Sequence, residues 1–236
     1  MFGRLHRPLR RFYYRAILPS TAIQVTSDGL TYLSYEKLAS LSRLLRQTKA
    51  RAVDGDLVEF GVALGGSAIF LASELDDGRA FYGYDVFQTI PPPGVHDDNK
   101  SHERYAVISC GNATGINGQQ YYGYMNDLHD VVCGNFRRFG LPVDGSRIVL
   151  RKGLFEQSLP QDADRRIAFA HVDCDWYEPV RYCLEAISKR ISPGGIVVLD
   201  DYNDYGGCKT AVDQFISGNA GFRILRTQPH AAIQRS

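Results

Sequence analysis

An α/β fold, a mostly parallel sheet covered by helices on both faces, is what this sequence predicts. Short apolar runs of strand length alternate with segments whose apolar residues recur at helical spacing, the pattern of parallel strands joined by crossover helices. A glycine-rich turn follows the first run, and acidic residues close several of the others. Those strand ends are where an open parallel sheet forms its ligand crevice.

Residues 32–52, "YLSYEKLASLSRLLRQTKARA", space Leu38, Leu41, Leu44 and Leu45 on one helical face. "GDLVEFGVALGGSAIFLASEL" passes from a strand through the glycine turn into an apolar helix. "RAFYGYDVF" is a second strand ending at Asp85, and "SRIVLRKGLFEQSLP" a third ending near Lys152 and Gly153. "RIAFAHVD" is the fourth, "EPVRYCLEAISKRI" a helix, and "GGIVVLDDY" the fifth strand. "CKTAVDQFISG" reads as a helix, and "FRILRT" and "AAIQRS" as two closing strands. Between strands two and three lies a long insertion, from Gln88 to about Phe139, that opens on Pro91, Pro92 and Pro93. An insertion of that length, rich in Gly, Asn and Tyr, marks a functional lid, with "YMNDLHDVVCGNFRRFG" helical within it.

At 236 residues the chain is long enough for one substantial core. A single domain over 1–236 is expected, with an N-terminal arm and helical region over 1–52 and the lid insertion over 88–139. A net charge of +1 argues against a broad nucleic-acid surface, and no nucleic-acid partner is expected. The local exception is "RLHRPLRRFYYR", with Arg4, Arg7, Arg10, Arg11 and Arg15, which reads as a solvated or oligomer-packing arm. No apolar run spans a bilayer and the N-terminus lacks a signal peptide's apolar stretch. The five cysteines are scattered without a C-x-x-C pair, as suits reduced thiols. A cytoplasmic protein without integral membrane association is therefore expected.

The glycine turn places Glu59, Gly61, Gly65, Gly66 and Ser67 between the first strand and its helix. Glycine allows a tight turn and close approach to a bound ligand. The spacing departs from G-x-G-x-x-G, so a pyrophosphate on the helix N-terminus is not implied. Asp85, 24 positions after Gly61, closes the second strand, where a carboxylate can accept both hydroxyls of a ribose. Together these favour a nucleoside pocket.

The second cluster is acidic. Asp173 and Asp175 end strand four; Asp200 and Asp201 end strand five, its neighbour in such a sheet. Asp173 and Asp175 face the same way if the strand persists, whereas Asp200 and Asp201 meet at one point only if the backbone turns. Helix capping accounts for one or two of these carboxylates, but not for four converging on a crevice. An all-oxygen set points to a hard cation, Mg²⁺ foremost, with Mn²⁺ or Ca²⁺ as alternatives. His171 and Cys174 flank Asp173 and are expected to point away from it, which makes a zinc site the weaker reading.

With "GDLVEFGVALGGS", "YGYDVFQTIP", "HVDCDWYEPVRYCLEAI" and "SPGGIVVLDDYNDYGGCKTAVDQF" in place, the chain resembles a known group. It is similar to the metal-dependent macrocin, mycinamicin and novobiocin sugar O-methyltransferases, class I S-adenosylmethionine-dependent enzymes. The resemblance runs from about Tyr32 to Phe222, apart from much of the insertion, and departs at Ala63 and Leu64. It implies a Rossmann-like class I methyltransferase fold with a seven-stranded sheet, an S-adenosyl-L-methionine site, Mg²⁺ and a homodimer. By resemblance, Glu59, Gly61 and Ser67 border the methionine part of the cofactor, Asp85 binds the ribose, and Gly153 and Phe155 lie near the adenine. Asp173, Asp200 and Asp201 match the metal ligands and Asp175 the general base, with His129 and His102 in the insertion as alternative bases.

The implied acceptor is a sugar hydroxyl on a small-molecule glycoside or an oligosaccharide; a phenol would suit the tyrosines of "QQYYGYMNDLHD" equally. A nicotinamide oxidoreductase would leave the four aspartates unexplained, a metal-dependent hydrolase would leave the glycine turn and Asp85 idle, and a non-catalytic binding module would not need the acids.

Overall fold

The computed structural model describes residues 13–236, so the basic arm lies largely outside the described residues and of its arginines only Arg15 falls within them. Two helices lead in, α1 (Ser20–Ser27) and α2 (Tyr35–Ala50). Ser34 caps α2 by accepting from the Lys37 N–H at 3.2 Å, and Leu38, Leu41 and Leu44 form its fully buried stripe. The sheet then builds up from β1 (Asp56–Phe60), α3 (Gly66–Ser73), β2 (Phe81–Asp85), the insertion helices α4 (Asn99–Ser109) and α5 (Leu128–Arg138), and β3 (Ile148–Lys152). It continues through β4 (Ile167–Val172), α6 (Tyr177–Ser188), β5 (Ile191–Leu199), α7 (Gly206–Gly218), β6 (Phe222–Arg226) and β7 (Ala231–Arg235).

Seven strands lie in the order β3-β2-β1-β4-β5-β7-β6. All neighbours are parallel except for β7, which runs antiparallel to both β5 and β6. The order reverses between β1 and β4, the position at which an open α/β sheet leaves a crevice beyond its carboxyl ends. Both faces are covered. Leu38, Leu41, Phe70 and Phe136 pack with Phe81 and Phe169 on one side, and Val180, Leu184 and Val212 with Val58, Phe60 and Val197 on the other.

The insertion is docked against the sheet's carboxyl end. Asp98 caps α4 through the Ser101 N–H at 3.0 Å, and its other oxygen accepts from the Gly206 N–H at 2.8 Å. Asp97 accepts from the Tyr177 N–H at 2.8 Å, and Trp176 Nε1 donates to the Pro91 carbonyl at 3.0 Å. Two aspartates of the insertion thus satisfy free N–H groups at the first turns of α6 and α7. Gly207 makes room for this: a Cβ there would lie 1.8 Å from Asp97 Oδ1.

Candidate active site

Two adjoining lobes of one cleft open at the reversal point, with volumes of about 330 and 420 Å³. Gly61, Asp85, Tyr122, Asp173, Asp175 and Trp176 line both. The first lobe extends over Ser67 to Lys37, Asp200, Asp201 and Tyr205; the second over Phe155, Leu154, Ile90 and Pro91.

The loop between β1 and α3 is held by backbone geometry that few sequences satisfy. Gly61, Ala63 and Gly65 all have positive φ, at 90°, 47° and 91°. A Cβ on Gly61 would stand 1.8 Å from the Asp173 carbonyl, and one on Gly66 2.4 Å from that of Leu30. These two glycines therefore permit close approach of protein backbone to protein backbone. Asp85 fastens the loop: Oδ2 accepts from the Val62 and Ala63 N–H groups at 2.7 and 2.9 Å, and Oδ1 from that of Phe87 at 2.6 Å.

The acidic corner is made by two turns. Strand β4 ends at Val172, and Asp175 takes φ 58°, uncommon for a non-glycine residue. Its N–H donates to Asp201 Oδ2 at 3.0 Å, which leaves its carboxylate without a hydrogen-bond partner among the described residues. Asp200 and Asp201 open a 3₁₀ turn, Asp200–Asn203, directly after β5. One oxygen from each of Asp173, Asp200 and Asp201 lies within 4.8 Å of the others.

Behind this corner lies a buried polar chain. Glu59 and His171 are register partners on β1 and β4, and His171 Nδ1 is 2.7 Å from Glu59 Oε1. Nε2 of the same ring is 3.8 Å from Asp200 Oδ1, which His230 Nδ1 approaches to 3.3 Å. From α2, Lys37 Nζ donates to Asp200 Oδ2 at 2.7 Å, to the Asp200 carbonyl at 3.1 Å and to Asp204 Oδ2 at 2.8 Å.

The charges divide the four acids. Burial and the neighbouring carboxylates push Asp173 and Asp201 well above the ordinary carboxylate range, and burial with Asp200 pushes Asp175 up to about 7. Asp200 goes down: burial opposes its charge, but His171, His230 and Lys37 more than offset it. His171 rises to about 10, because the Asp200 and Glu59 carboxylates outweigh its burial. Oε2 of Glu59 has no hydrogen-bond partner, and burial raises that carboxyl too, with His171 pulling the other way.

The macrocin O-methyltransferase family model matches residues 19–220. The chain belongs to that family. A tetracenomycin rhamnosyl 4'-O-methyltransferase of Streptomyces olivaceus is 31% identical over 189 residues, 78% of this chain and 67% of that one. Demethyldecarbamoylnovobiocin O-methyltransferase of Streptomyces niveus is 28% identical over 194 residues, 80% of this chain and 68% of that one. The solved structure of the O-methyltransferase NovP superposes with a TM-score of 0.70 at 24% identity, covering 88% of this chain and 82% of that one. The sheet order is thus that of the Rossmann-like class I methyltransferase fold expected from the sequence.

Within this macrocin-type O-methyltransferase, the predicted site residues fall into two groups. Gly61, Ser67, Asp85, Phe155, Asp173, Asp175, Asp200 and Asp201 line the cleft. Glu59, Gly65, Gly66 and Gly153 do not. Glu59 is wholly buried with His171, Gly65 faces α5 so that a Cβ on it would lie 3.1 Å from Val132, and Gly153 donates its N–H to the Asp85 carbonyl. His129 lines neither lobe; its ring stands edge-on to Phe87 with centroids 4.9 Å apart, and His102 is exposed.

The expected direction of His171 is corrected. It lies two residues before Asp173, which is the first residue past β4, and its Nε2 stands 3.8 Å from Asp200 Oδ1, so it faces the acidic corner, as alternation along an extended chain implies. Cys174 does turn away from the corner, into a buried apolar cluster. Lys37 carried no sequence signal, since its partner is 163 positions away.

Proposed function

We propose that this protein is an S-adenosylmethionine-dependent, Mg²⁺-dependent O-methyltransferase of a sugar hydroxyl. The observation that carries the reading is the convergence of Asp173, Asp200 and Asp201 beside the unpartnered Asp175, in the cleft of a macrocin-family fold. Three carboxylates fit a hard divalent ion, and two of them, Asp173 and Asp201, are held up by desolvation and by the neighbouring carboxylates, the second of which a dication relieves. The family relatives named above act on sugars of tetracenomycin and on a novobiocin precursor, which supports a glycosidic acceptor here.

When bound, the sulfonium donor supplies an activated methyl group and Mg²⁺ supplies charge stabilisation for a developing alkoxide. The chain's residues do the rest. Gly61 and Ser67 would hold the methionine end of the donor, Asp85 with its one uncommitted lone pair would accept from the ribose, and Phe155 of the second lobe would pack on the adenine. Asp175 takes the hydroxyl proton, and a pKa near 7 suits a base working at neutral pH. Lys37 and His171 fix Asp200 in its ionised form. Tyr32, Tyr121 and Tyr122 offer aromatic faces to a sugar ring.

The test is transfer of a labelled methyl group from S-adenosylmethionine to a panel of glycosides, with Mg²⁺ and with EDTA. Turnover that needs both donor and metal supports the reading. Turnover on phenols alone would overturn the acceptor class, and undiminished turnover in EDTA would overturn the metal role.

A further inference from the structure

Helix α4 presents two cations to the cleft that the chemistry above leaves unused. Lys100 and Arg104 are four residues apart, on one face of the helix, and both line the first lobe. That lobe is rich in carboxylates, yet neither forms an ion pair within 4 Å among the described residues, and Lys37 already occupies Asp200 and Asp204. Lys100 donates to the Asp204 main-chain oxygen and stands 4.8 Å from the centre of the Tyr205 ring. Arg104 has only the Tyr121 ring beneath it, 5.6 Å away, and its guanidinium N–H groups have no acceptor among the described residues.

A half-buried guanidinium with its planar fork unfilled is open to an oxyanion, because two parallel N–H groups match two oxygens of a phosphate or carboxylate. The group is held in place. Asp97 and Asp98 pin the start of α4 to α6 and α7, so Lys100 and Arg104 sit over the lobe on an anchored element. The rings these cations overlie, Tyr205 and Tyr121, line the same lobe as Asp173, Asp175, Asp200 and Asp201, a volume of about 330 Å³.

We propose that the acceptor is an anionic glycoside, a sugar carrying a phosphate or carboxylate, and that Arg104 with Lys100 holds that group while the hydroxyl faces Asp175. This rests on the methyltransferase reading and narrows its substrate class. A neutral glycoside leaves the guanidinium empty and forfeits the charge-assisted bonds, a difference of about tenfold or more in affinity.

The test titrates three probes into protein saturated with S-adenosylhomocysteine and Mg²⁺: glucose 1-phosphate, methyl glucuronide and neutral methyl glucoside. One or both anions should bind at least about tenfold more tightly than the neutral sugar, and which one does so separates phosphate from carboxylate. Arg104→Gln should abolish the advantage, Arg104→Lys should keep part of it, and neither should change the affinity for S-adenosylhomocysteine. Equal affinity for all three probes, no detectable binding of either anion, or an advantage that survives in the Arg104→Gln, Lys100→Gln double variant would overturn the proposal. Failure of the wild type to bind S-adenosylhomocysteine would instead overturn the methyltransferase reading itself.

Discussion

At the scale of single residues, Asp175 and Lys37 do opposite things to the acidic corner. Asp175 is held in a left-handed turn with a carboxylate free of hydrogen-bond partners among the described residues, and burial with Asp200 pushes its pKa up to about 7, which strengthens it as a proton acceptor. Asp175→Asn should lower kcat by about 10²- to 10⁴-fold, the range general bases contribute, with the affinity for S-adenosylhomocysteine unchanged; comparable turnover would remove it as the base. Lys37 bridges Asp200 and Asp204 with little of its side chain exposed. Lys37→Met removes the ammonium that donates to Asp200 and Asp204 and should cost about 3 kcal/mol in a denaturant melt.

The pH dependence of stability follows from the same groups. Asp173, Asp175 and Asp201 have raised pKa values when folded, so the folded protein binds more protons than the unfolded chain above the ordinary carboxylate range. Their contribution to stability is therefore full at low pH and lost as pH rises through about 7 and beyond. His171, raised to about 10, has the same sign above its ordinary value. In EDTA the melting temperature should fall by about 4 °C between pH 6.5 and 8.5, and Mg²⁺ should narrow the gap. A melting temperature that climbs over that interval would contradict the charge assignment.

At the scale of elements, the loop between β1 and α3 and the insertion set the cleft. Gly61→Ala forces a Cβ against the Asp173 carbonyl at positive φ and should cost about 3 kcal/mol, measured by chemical unfolding. All seven strands and helices α2, α3, α5, α6 and α7 were legible in the sequence because each carries an apolar run of strand length or an apolar set at helical spacing, most of it buried in the two clusters that flank the sheet. Helix α4 was not: of its residues only Ser101 and Ile108 are buried, so "NKSHERYAVIS" carries no stripe. What fixes it is Asp97 and Asp98 reaching the first turns of α6 and α7, contacts 80 and 108 positions apart that no local pattern reveals. For the same reason the acidic triad of Asp173, Asp200 and Asp201 could be read from its strand ends, while Lys37, His230 and Arg104 could not.

At the scale of the whole molecule, the reversal of strand order between β1 and β4 brings the glycine turn, Asp85 and the acids of β4 and β5 to one crevice. α2 and the insertion close it from two sides with Lys37, Lys100 and Arg104. No helix among the described residues is long and apolar enough to cross a membrane. This crevice is the proposed seat of an adenosyl methyl donor beside a divalent cation. Calorimetric titration of S-adenosylhomocysteine, with NAD⁺ as control, into Mg²⁺-loaded and EDTA-treated protein tests it most directly. Saturable binding of S-adenosylhomocysteine in both states, and none of NAD⁺, is expected. Absence of adenosyl binding in both, or equal binding of NAD⁺, would contradict it.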